Sequence, residues 1–409
     1  MRCLLCGARV LGGLNSQDRF LSPITHSANQ RDTPLSTHLH SRFNRWILPG
    51  FAFKAVVIGG GYATGRELAE FFLPSGPWGG IMGMLLAMVI WSVICTLTFL
   101  FARATSSMDY RSFFGQLLGP GWVLFEAAYF CTVIVMLSVF AAAAGALGAA
   151  IFGWSPMVGT LLLIVCIAAV SAYGSESVER LFKLVTFFLY AVFAAFILLS
   201  LTHFSDRIAT GLSTHYPTTG WVLGGVTYSI YNVVGAVIIL PVLRHLTSQR
   251  DAVIAGMLCG PLAMLPALLF LICMVGYYPG IASEPLPSDF LLNKLDMPLF
   301  HVLFQFMIFS ALLESGTGAV HAINERVAHV AQLRGGTFGR NGRLALAAVV
   351  LVVSVFVAEH FGLVNLIARG YRFLAYLFMI IYILPIVTYG VWRLFGKAAR
   401  QSAQTATAD

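Results

Sequence analysis

The chain has 409 residues, of which 58% are apolar and only 10% are charged, with a net charge of +8. Soluble domains carry about 25% charged residues because their surface must be solvated, so this composition excludes a cytosolic enzyme and a nucleic-acid-binding protein. Disorder over most of the length is excluded as well. Long apolar stretches without polar alternation argue against a β-barrel. The composition therefore predicts an all-α integral membrane protein.

Apolar stretches that are long enough to cross a bilayer occur ten times along the chain. A hydrocarbon core of about 30 Å needs about 20 predominantly apolar residues in a helix. The ten predicted transmembrane segments are 47–73, 78–104, 121–152, 156–173, 178–202, 219–243, 252–278, 299–330, 343–361 and 363–394. On the outer side of the membrane, where 202–219 and 278–299 would lie if the N-terminus is inside, these two are the only long connections expected.

The basic residues are distributed unequally between the two sides of the predicted membrane. With the N-terminus inside, 20 of the 25 Lys and Arg residues fall on the inner side, against Arg207 and Lys294 on the outer side. Arg66, Arg369 and Arg372 fall within segments. Positively charged loops stay in the cytoplasm. The positive charge therefore predicts a multi-pass topology with both termini in the cytoplasm.

Residues 1–42 do not follow this pattern, because they are polar and rich in Ser, Thr, His and Arg. We interpret them as a disordered tail or an over-extended start, and 396–409 as a cytoplasmic tail. Cys3 and Cys6 form a single C-x-x-C pair, which is weak support for a metal or redox site. The other five cysteines lie singly in apolar segments and predict no disulfide. We predict no cofactor.

The first segment is interrupted by four glycines within seven residues, Gly59, Gly60, Gly61 and Gly65. Each costs a helix roughly 1 kcal/mol relative to Ala. Backbone groups freed within the membrane must face protein, water or a ligand. The glycines therefore predict an unwound segment that lines a cavity, where carbonyls bind cations and amides bind anions. The alternative is close helix packing through a G-x-x-x-G face.

Glu67 follows this break directly, and Glu70 lies one turn further on. Ionisable side chains at membrane depth usually face the protein interior and serve function. We therefore predict a functional or gating role for Glu67 and a structural role for Glu70. The alternative is a local ion pair between Glu67 and Arg66.

A second interruption is predicted in segment six, at Asn232 and Gly235, next to Tyr231. One glycine in an apolar helix is a weak signal, and Tyr231 alone would be interpreted as a packing residue. The predicted break is supported mainly by its position, because segment six is the first of the second five segments. Interrupted segments at corresponding positions of two halves indicate a transporter site.

Segment eight contains Glu314, Ser315, Thr317 and His321. Glu314, Thr317 and His321 share one helix face. A carboxylate near two hydroxyls predicts a Na+ ligand or a proton relay, although the hydroxyls could instead bond their own backbone. The run 324–326 at the inner end is either a gate or a solvated cap.

Other charged residues support only limited expectations. Glu126 is expected to pair with Arg103 or Arg111, and Lys183 to reach the cytoplasmic surface. For Arg369 and Arg372 a partner such as Glu67 or Glu359 is conceivable. The run 141–150, which includes Gly145 and Gly148, predicts close helix packing.

The run 59–67, Gly-Gly-Gly-Tyr-Ala-Thr-Gly-Arg-Glu, resembles the Gly-x-Gly-Phe-Ala-Thr-Gly-Gln-Glu of the YkvI-type uncharacterised bacterial membrane proteins. Glu314-Ser-Gly-Thr-Gly and the later Asn324-Glu-Arg resemble that family's eighth segment, and the similarity covers roughly 45–395. The chain departs from the pattern at Tyr62 and Arg66. Arg66 adds a positive charge beside the predicted site, so the family's charge preference for its substrate does not carry over.

This resemblance implies the amino acid–polyamine–organocation superfamily and the leucine-transporter fold. Ten helices would form two inverted repeats, 43–202 and 203–395, with the first and sixth broken around a central site. The protein would then be a secondary active transporter in the bacterial inner membrane. It would move a small solute such as an amino acid or an amine, coupled to Na+ or H+. The expected partners are this solute and the lipid bilayer, with no nucleic acid, and the oligomeric state is left open.

Carried onto this chain, the resemblance implies two groups of site residues. An ion site would form between the first and eighth segments, with Glu314, Ser315 and Thr317 as coupling residues and Na+ at Gly59, Ser315 and Thr317. The residues expected to line the substrate site are Gly59, Gly60, Gly61, Ala63, Thr64, Gly65, Glu67, Tyr231, Asn232 and Gly235. A channel and a non-transporting sensor of the same fold are the alternatives. No nucleophile or metal-hydrolase motif supports an enzyme.

Overall fold

A computed structural model describes residues 42–172, 175–394 and 396, and over these residues the chain is helical with no strand. Shorter 3-10 turns occupy 73–75, 119–121, 240–245 and 280–283, and π-helical turns occupy 43–47, 366–370, 379–383 and 386–390. The α-helices are α1 (Leu48–Val57), α2 (Gly60–Ala63), α3 (Arg66–Phe71), α4 (Gly76–Ala104), α5 (Tyr110–Leu118), α6 (Trp122–Phe152), α7 (Pro156–Ala172), α8 (Ser175–His203), α9 (Ser205–Ser213), α10 (Trp221–Asn232), α11 (Gly235–Ile238), α12 (Gln249–Val275), α13 (Pro287–Leu295), α14 (Pro298–Leu333), α15 (Arg340–Asn365) and α16 (Tyr371–Phe378).

Six stretches of the described chain are long and apolar enough to cross a membrane: Arg66–Ala104, Tyr110–Phe152, Trp221–Ile238, Gln249–Val275, Pro298–Gln332 and Arg340–Leu394. A seventh results if Phe187–His203 and Ser205–Ser213, which meet at 72°, count as one. The membrane-protein class is therefore confirmed. The number of ten spans stays a prediction.

The stretch Arg340–Leu394 contains 55 residues. As one helix it would be roughly 80 Å long, far more than a bilayer is thick. It is divided at Gly362, whose φ of 70° and ψ of 165° are not helical. This break lies between the ninth and tenth predicted segments, as the sequence indicates.

The two predicted connections contain secondary structure of their own. Helix α9 occupies part of 202–219, and α13 occupies part of 278–299. Both helices are short and carry charged residues, such as Asp206 in α9 and Lys294 in α13, so apolar length does not reveal them. They cover the predicted outer ends of the longer helices.

Two of the packing contacts between a long helix of the first half and one of the second half have a counterpart in which the two halves exchange roles. Helix α1 packs on α12 while α10 packs on α4, and α6 packs on α15 while α14 packs on α7. An inverted repeat produces such exchanged pairs, because each contact has a symmetry-related counterpart. The division at 202/203 is consistent with these pairs and stays a prediction.

The small-residue run in α6 packs closely on α7. A Cβ added to Gly145 would lie 2.6 Å from the Pro156 carbonyl oxygen and 2.8 Å from the Thr160 hydroxyl. Thr160 also donates a hydrogen bond to the carbonyl of Ala141. The close packing predicted for 141–150 is therefore confirmed.

Candidate functional site

The first break separates α1 from α2 at Ile58 and Gly59. Ile58 has φ −83° and ψ 86°, and Gly59 is extended with φ −105° and ψ −173°. The Gly59 amide donates to the carbonyl of Val57 at 3.1 Å. In a continuous helix it would bond Ala55, four residues back. The carbonyl of Ala55 therefore loses its helical donor at the point where the chain turns toward α14.

A second discontinuity follows at Gly65, between α2 and α3. Gly65 has φ 77°, in the left-handed region that glycine adopts without strain. A Cβ there would lie 2.8 Å from the Phe270 ring, so space also requires glycine. The neighbouring Thr64 carbonyl accepts a hydrogen bond from the Ser288 amide of α13 at 3.0 Å. The predicted broken first helix is thus confirmed, with two breaks rather than one.

Glu67 lies on α3 in the interior and is only 6% exposed. The Tyr231 hydroxyl of α10 donates a hydrogen bond of 2.7 Å to Glu67 Oε2. This bond joins the first broken helix to the sixth segment across the centre of the protein. A buried carboxylate is costly unless it has hydrogen-bond or charge partners, so this contact is a strong constraint on both helices.

Four buried tyrosines lie near this carboxylate, and only Tyr231 bonds it directly; we call them the tyrosine cage: Tyr62, Tyr228, Tyr231 and Tyr371. Each interacts electrostatically with Glu67. Tyr231 stacks on Tyr371 with ring centroids 4.5 Å apart and meets Tyr228 edge-on at 5.6 Å. All four are buried, and the hydroxyls of Tyr62 and Tyr228 have no hydrogen-bond partner among the described residues.

Arg66 points away from the cage, toward the predicted outer loop. Its guanidinium donates to the carbonyls of Ala282 and Glu284 at 2.9 and 3.0 Å and pairs with Glu70 at 2.8 Å. The alternative of an Arg66–Glu67 ion pair is therefore wrong. The extra positive charge expected beside the site is also neutralised, because Glu70 and two carbonyls bind it.

The second break, between α10 and α11, is mild. Val233 and Val234 keep helical angles, and the Ala236 amide bonds the Val233 carbonyl three residues back. The Asn232 side chain donates to the carbonyl of Tyr228 in its own helix at 3.1 Å. A Cβ on Gly235 would meet the Phe53 ring of α1 at 3.2 Å. These two residues thus contact helix backbone and α1 rather than Glu67.

Helix α14 brings Ser315 against the first break. A Cβ on Gly59 would lie 3.3 Å from the Ser315 hydroxyl oxygen. Thr317 is fully buried, and its hydroxyl has no hydrogen-bond partner among the described residues. Residues that are two positions apart in an α-helix point roughly 200° apart around its axis, so Thr317 lies on another face of α14 from Ser315. Glu314 is half-buried and interacts electrostatically with Tyr190 of α8.

The inner ends of the helices are linked by charged residues. Arg326 pairs with Glu126 at 3.1 Å and lies 3.8 Å from the Tyr110 ring centroid and 3.6 Å from that of Tyr129. The predicted pairing of Glu126 with Arg103 or Arg111 is therefore wrong, since Arg103 bonds carbonyls that precede α12.

Two predicted features fall outside what the structure describes. The Lys183 side chain, like the others of 172–186, lies outside the described residues, and so do Cys3 and Cys6. The backbone of Gly60 and Gly61 forms α2. Ala63 and Thr64 are buried beside it.

Sequence reasoning missed Tyr371 and assigned no role to Tyr228. Each resembles an ordinary packing residue, because one aromatic ring in an apolar helix is unremarkable. A usable signal was present: three tyrosines, Tyr62, Tyr228 and Tyr231, lie at the two predicted breaks. Tyr371 lies in the tenth segment, and only the fold brings it to the same place.

Comparison with known proteins supports this architecture. No family profile matches the chain. The "Uncharacterized membrane protein YkvI" of Bacillus subtilis (strain 168) is 22% identical over 335 residues, covering 80% of this chain and 91% of that protein. The predicted resemblance to YkvI-type proteins is thus confirmed.

Two solved structures share the fold. MhsT in complex with L-phenylalanine has a TM-score of 0.54 and 18% identity, over 83% of this chain and 88% of that one. A Na+-coupled sialic acid symporter in a substrate-bound outward-open state has a TM-score of 0.55 and 13% identity, over 83% and 78%. At these identities the similarity concerns the fold alone. The chain has the leucine-transporter fold.

Proposed function

We propose that this protein is a secondary active transporter that moves a small solute across the membrane by alternating access, coupled to Na+ or H+. The observation that carries this proposal is the buried hydrogen bond between Tyr231 and Glu67, which links two discontinuous helices at the centre of the fold. Discontinuous helices that meet at mid-membrane bind substrates and coupling ions in transporters. The relatives of the same fold include a sodium-coupled symporter.

The substrate site in this proposal lies between the first break and α10. Ala63, Thr64 and Gly65 form its wall on the α2–α3 side, and Glu67 and Tyr231 supply its polar groups. The amides and carbonyls of Gly59 and Gly65 are hydrogen-bonded within this segment, so they would bind a solute only by exchanging those bonds. Asn232 and Gly235 contribute at its edge, through the backbone turn they flank rather than through contact with Glu67.

The coupling-ion site in this proposal lies between α1 and α14. The Ser315 hydroxyl is packed against Gly59, where the α1 carbonyls lose helical donors. Hard cations such as Na+ prefer oxygen ligands of these two kinds. The Glu314 carboxylate supplies a further oxygen next to Ser315, whereas the buried Thr317 hydroxyl lies on another face of α14 and would join this site only if the helix rotated. A proton carried by Glu67 or Glu314 is the other form of coupling.

Reconstitution tests this proposal with a panel of candidate solutes. Purified protein in proteoliposomes is exposed to the twenty common amino acids and their decarboxylated amines, under a Na+ gradient, a pH gradient or neither. We expect uptake that saturates with solute and that needs one of the gradients. Empty liposomes and the exposed α15 variant Glu359→Gln, which should transport normally, are the controls.

Two results would contradict the proposal. Ion flux that neither saturates nor requires a solute would identify a channel. A solute that binds the purified protein but never crosses the liposome membrane under any gradient would identify a sensor.

A further inference from the structure

The tyrosine cage and Glu67 form an unusual environment for the interior of a membrane protein, and it constrains the solute. Resting on the proposed function, we infer that the transported solute is an amine whose positively charged nitrogen is held by the Glu67 carboxylate among the rings of Tyr62, Tyr228, Tyr231 and Tyr371. The solute is recognised as a cation. An amino acid zwitterion is recognised less well.

The charge balance at the centre favours a cation. Glu67 is 6% exposed, and among the side chains that the structure describes no basic group forms an ion pair with it. The side chain that donates a hydrogen bond to it, among those the structure describes, is the neutral Tyr231 hydroxyl. A carboxylate in a region of low dielectric is stabilised most by an opposite charge. An ammonium group supplies that charge and up to three donors.

The rings around Glu67 suit the same ligand. A cation within about 6 Å of an aromatic face is attracted by the ring quadrupole, and quaternary or primary ammonium groups are recognised in this way. Tyr231 and Tyr371 present stacked rings, and Tyr228 closes one side edge-on. Phe71 adds a ring 5.7 Å from Tyr231 and 6.0 Å from Tyr228. The hydroxyls of Tyr62 and Tyr228, which bond no side chain or backbone group in the described part of the chain, provide acceptors for ammonium protons.

The surroundings disfavour a ligand carboxylate. Arg66 is the basic residue next in sequence to Glu67, but its guanidinium is bound by Glu70 and by the carbonyls of Ala282 and Glu284. A zwitterion would place its carboxylate near Glu67 without this arginine to balance it. Like charges in a desolvated site repel strongly. Removal of the carboxylate from a ligand should therefore increase its affinity.

Binding must also separate groups that now touch. The cage residues fill the space around Glu67, and the bond between Glu67 and Tyr231 holds α3 against α10. An ammonium group that takes the place of the Tyr231 hydroxyl would exchange that bond for contacts to both helices. Binding and the relative movement of these helices are then coupled.

A matched ligand set tests the inference. Thermal stability of the purified full chain is titrated with each of the twenty amino acids and with its decarboxylated amine, for example L-phenylalanine and 2-phenylethylamine. We expect at least one amine to stabilise the protein, and its parent amino acid to bind at least about tenfold more weakly.

The inference is overturned if no amine in the set binds, or if the parent amino acid binds as tightly as its amine. If an amino acid of that set is then transported in proteoliposomes, the proposed function stands and only the cation assignment fails. If an amine binds but is not transported, the proposed function fails and the cation assignment stands.

Paired substitutions at Tyr371 test the role of the rings. Tyr371→Phe keeps the aromatic face and should keep amine affinity within about twofold, whereas Tyr371→Leu should weaken it by about tenfold. Tyr382→Phe, which removes a buried hydroxyl bonded to Thr98 outside the cage, is the control and should change nothing. Equal affinity in the Leu and Phe variants, each monodisperse in gel filtration, would overturn the ring contribution.

Discussion

The two broken segments differ in kind. At the first, Gly59 is extended and Gly65 is left-handed, so the chain leaves the helix twice within seven residues. At the second, Val233 and Val234 keep helical angles and only the hydrogen-bond spacing tightens. The first break releases backbone groups, while the second carries the cage tyrosines Tyr228 and Tyr231 on a nearly continuous helix.

This difference indicates that the first half contributes backbone groups to the site and the second half contributes side chains. A left-handed residue reorients the chain and frees amides and carbonyls for an ion or a solute. A continuous helix fixes its side chains more rigidly, because each turn is held by its own hydrogen bonds. We therefore expect substitutions at the first break to act through backbone shape and those on α10 through side-chain chemistry.

The largest effect is expected for Glu67→Gln. Glutamine keeps the size of the side chain and can still accept the Tyr231 hydrogen bond, but it removes the charge. Hydrogen bonds to charged groups contribute about 1.5–3 kcal/mol, so uptake should fall at least about tenfold. The control Glu359→Gln removes an exposed carboxylate of α15, far along the chain from Glu67, and should leave uptake per folded protein unchanged.

Glu67→Gln is measured as initial uptake into proteoliposomes, with protein content fixed by gel filtration. Normal uptake in this variant would show that Glu67 is not part of the substrate site. It would also contradict the proposed functional role of the contact between the first broken helix and α10.

The next effect concerns the backbone. Gly65→Ala forces a Cβ onto a residue with φ 77° and within 2.8 Å of Phe270, which should destabilise the fold by about 1–3 kcal/mol. Gly235→Ala adds a Cβ at 3.2 Å from Phe53 in a helical region and should cost less. Thermal unfolding in detergent compares the two variants. An equal loss at both positions would contradict the difference between the breaks.

A smaller effect is expected at the proposed ion site. Ser315→Ala removes the hydroxyl that packs against Gly59 and should raise the Na+ concentration for half-maximal uptake by about tenfold, since one ligand to a cation is lost. Thr317→Ala, on another face of α14, should have a weaker effect on Na+ dependence. Uptake with unchanged Na+ dependence in Ser315→Ala would exclude Na+ coupling at this position.

The smallest effect is expected for Asn232→Ala. One of its amide hydrogens bonds the Tyr228 carbonyl of its own helix, which holds the side chain along α10. Solute affinity should change by less than about threefold, which corresponds to the lower range for a neutral hydrogen bond. A larger loss, measured by titration of thermal stability, would show that Asn232 turns toward the solute and that the second break opens during transport.

Several features of the site could be predicted from local sequence. Four glycines in seven residues predict a broken helix because each destabilises a continuous helix, and close helix packing needs fewer of them. Glu67 and Ser315 are candidates from sequence because polar residues at membrane depth are rare. The extra positive charge expected from Arg66 beside the site could not be placed from sequence, because Glu70 and a loop more than 200 residues away bind this arginine.

The sequence by itself determined the membrane class, the approximate helix ends and the location of the first break, because bilayer thickness and glycine backbone freedom act on neighbouring residues. Only the tertiary structure decided the partners of the buried charges and the gathering of Tyr62, Tyr228, Tyr231 and Tyr371 around Glu67. Those contacts join helices that are far apart along the chain. Which faces of these helices meet depends on the packing of the whole fold, and no local pattern encodes it.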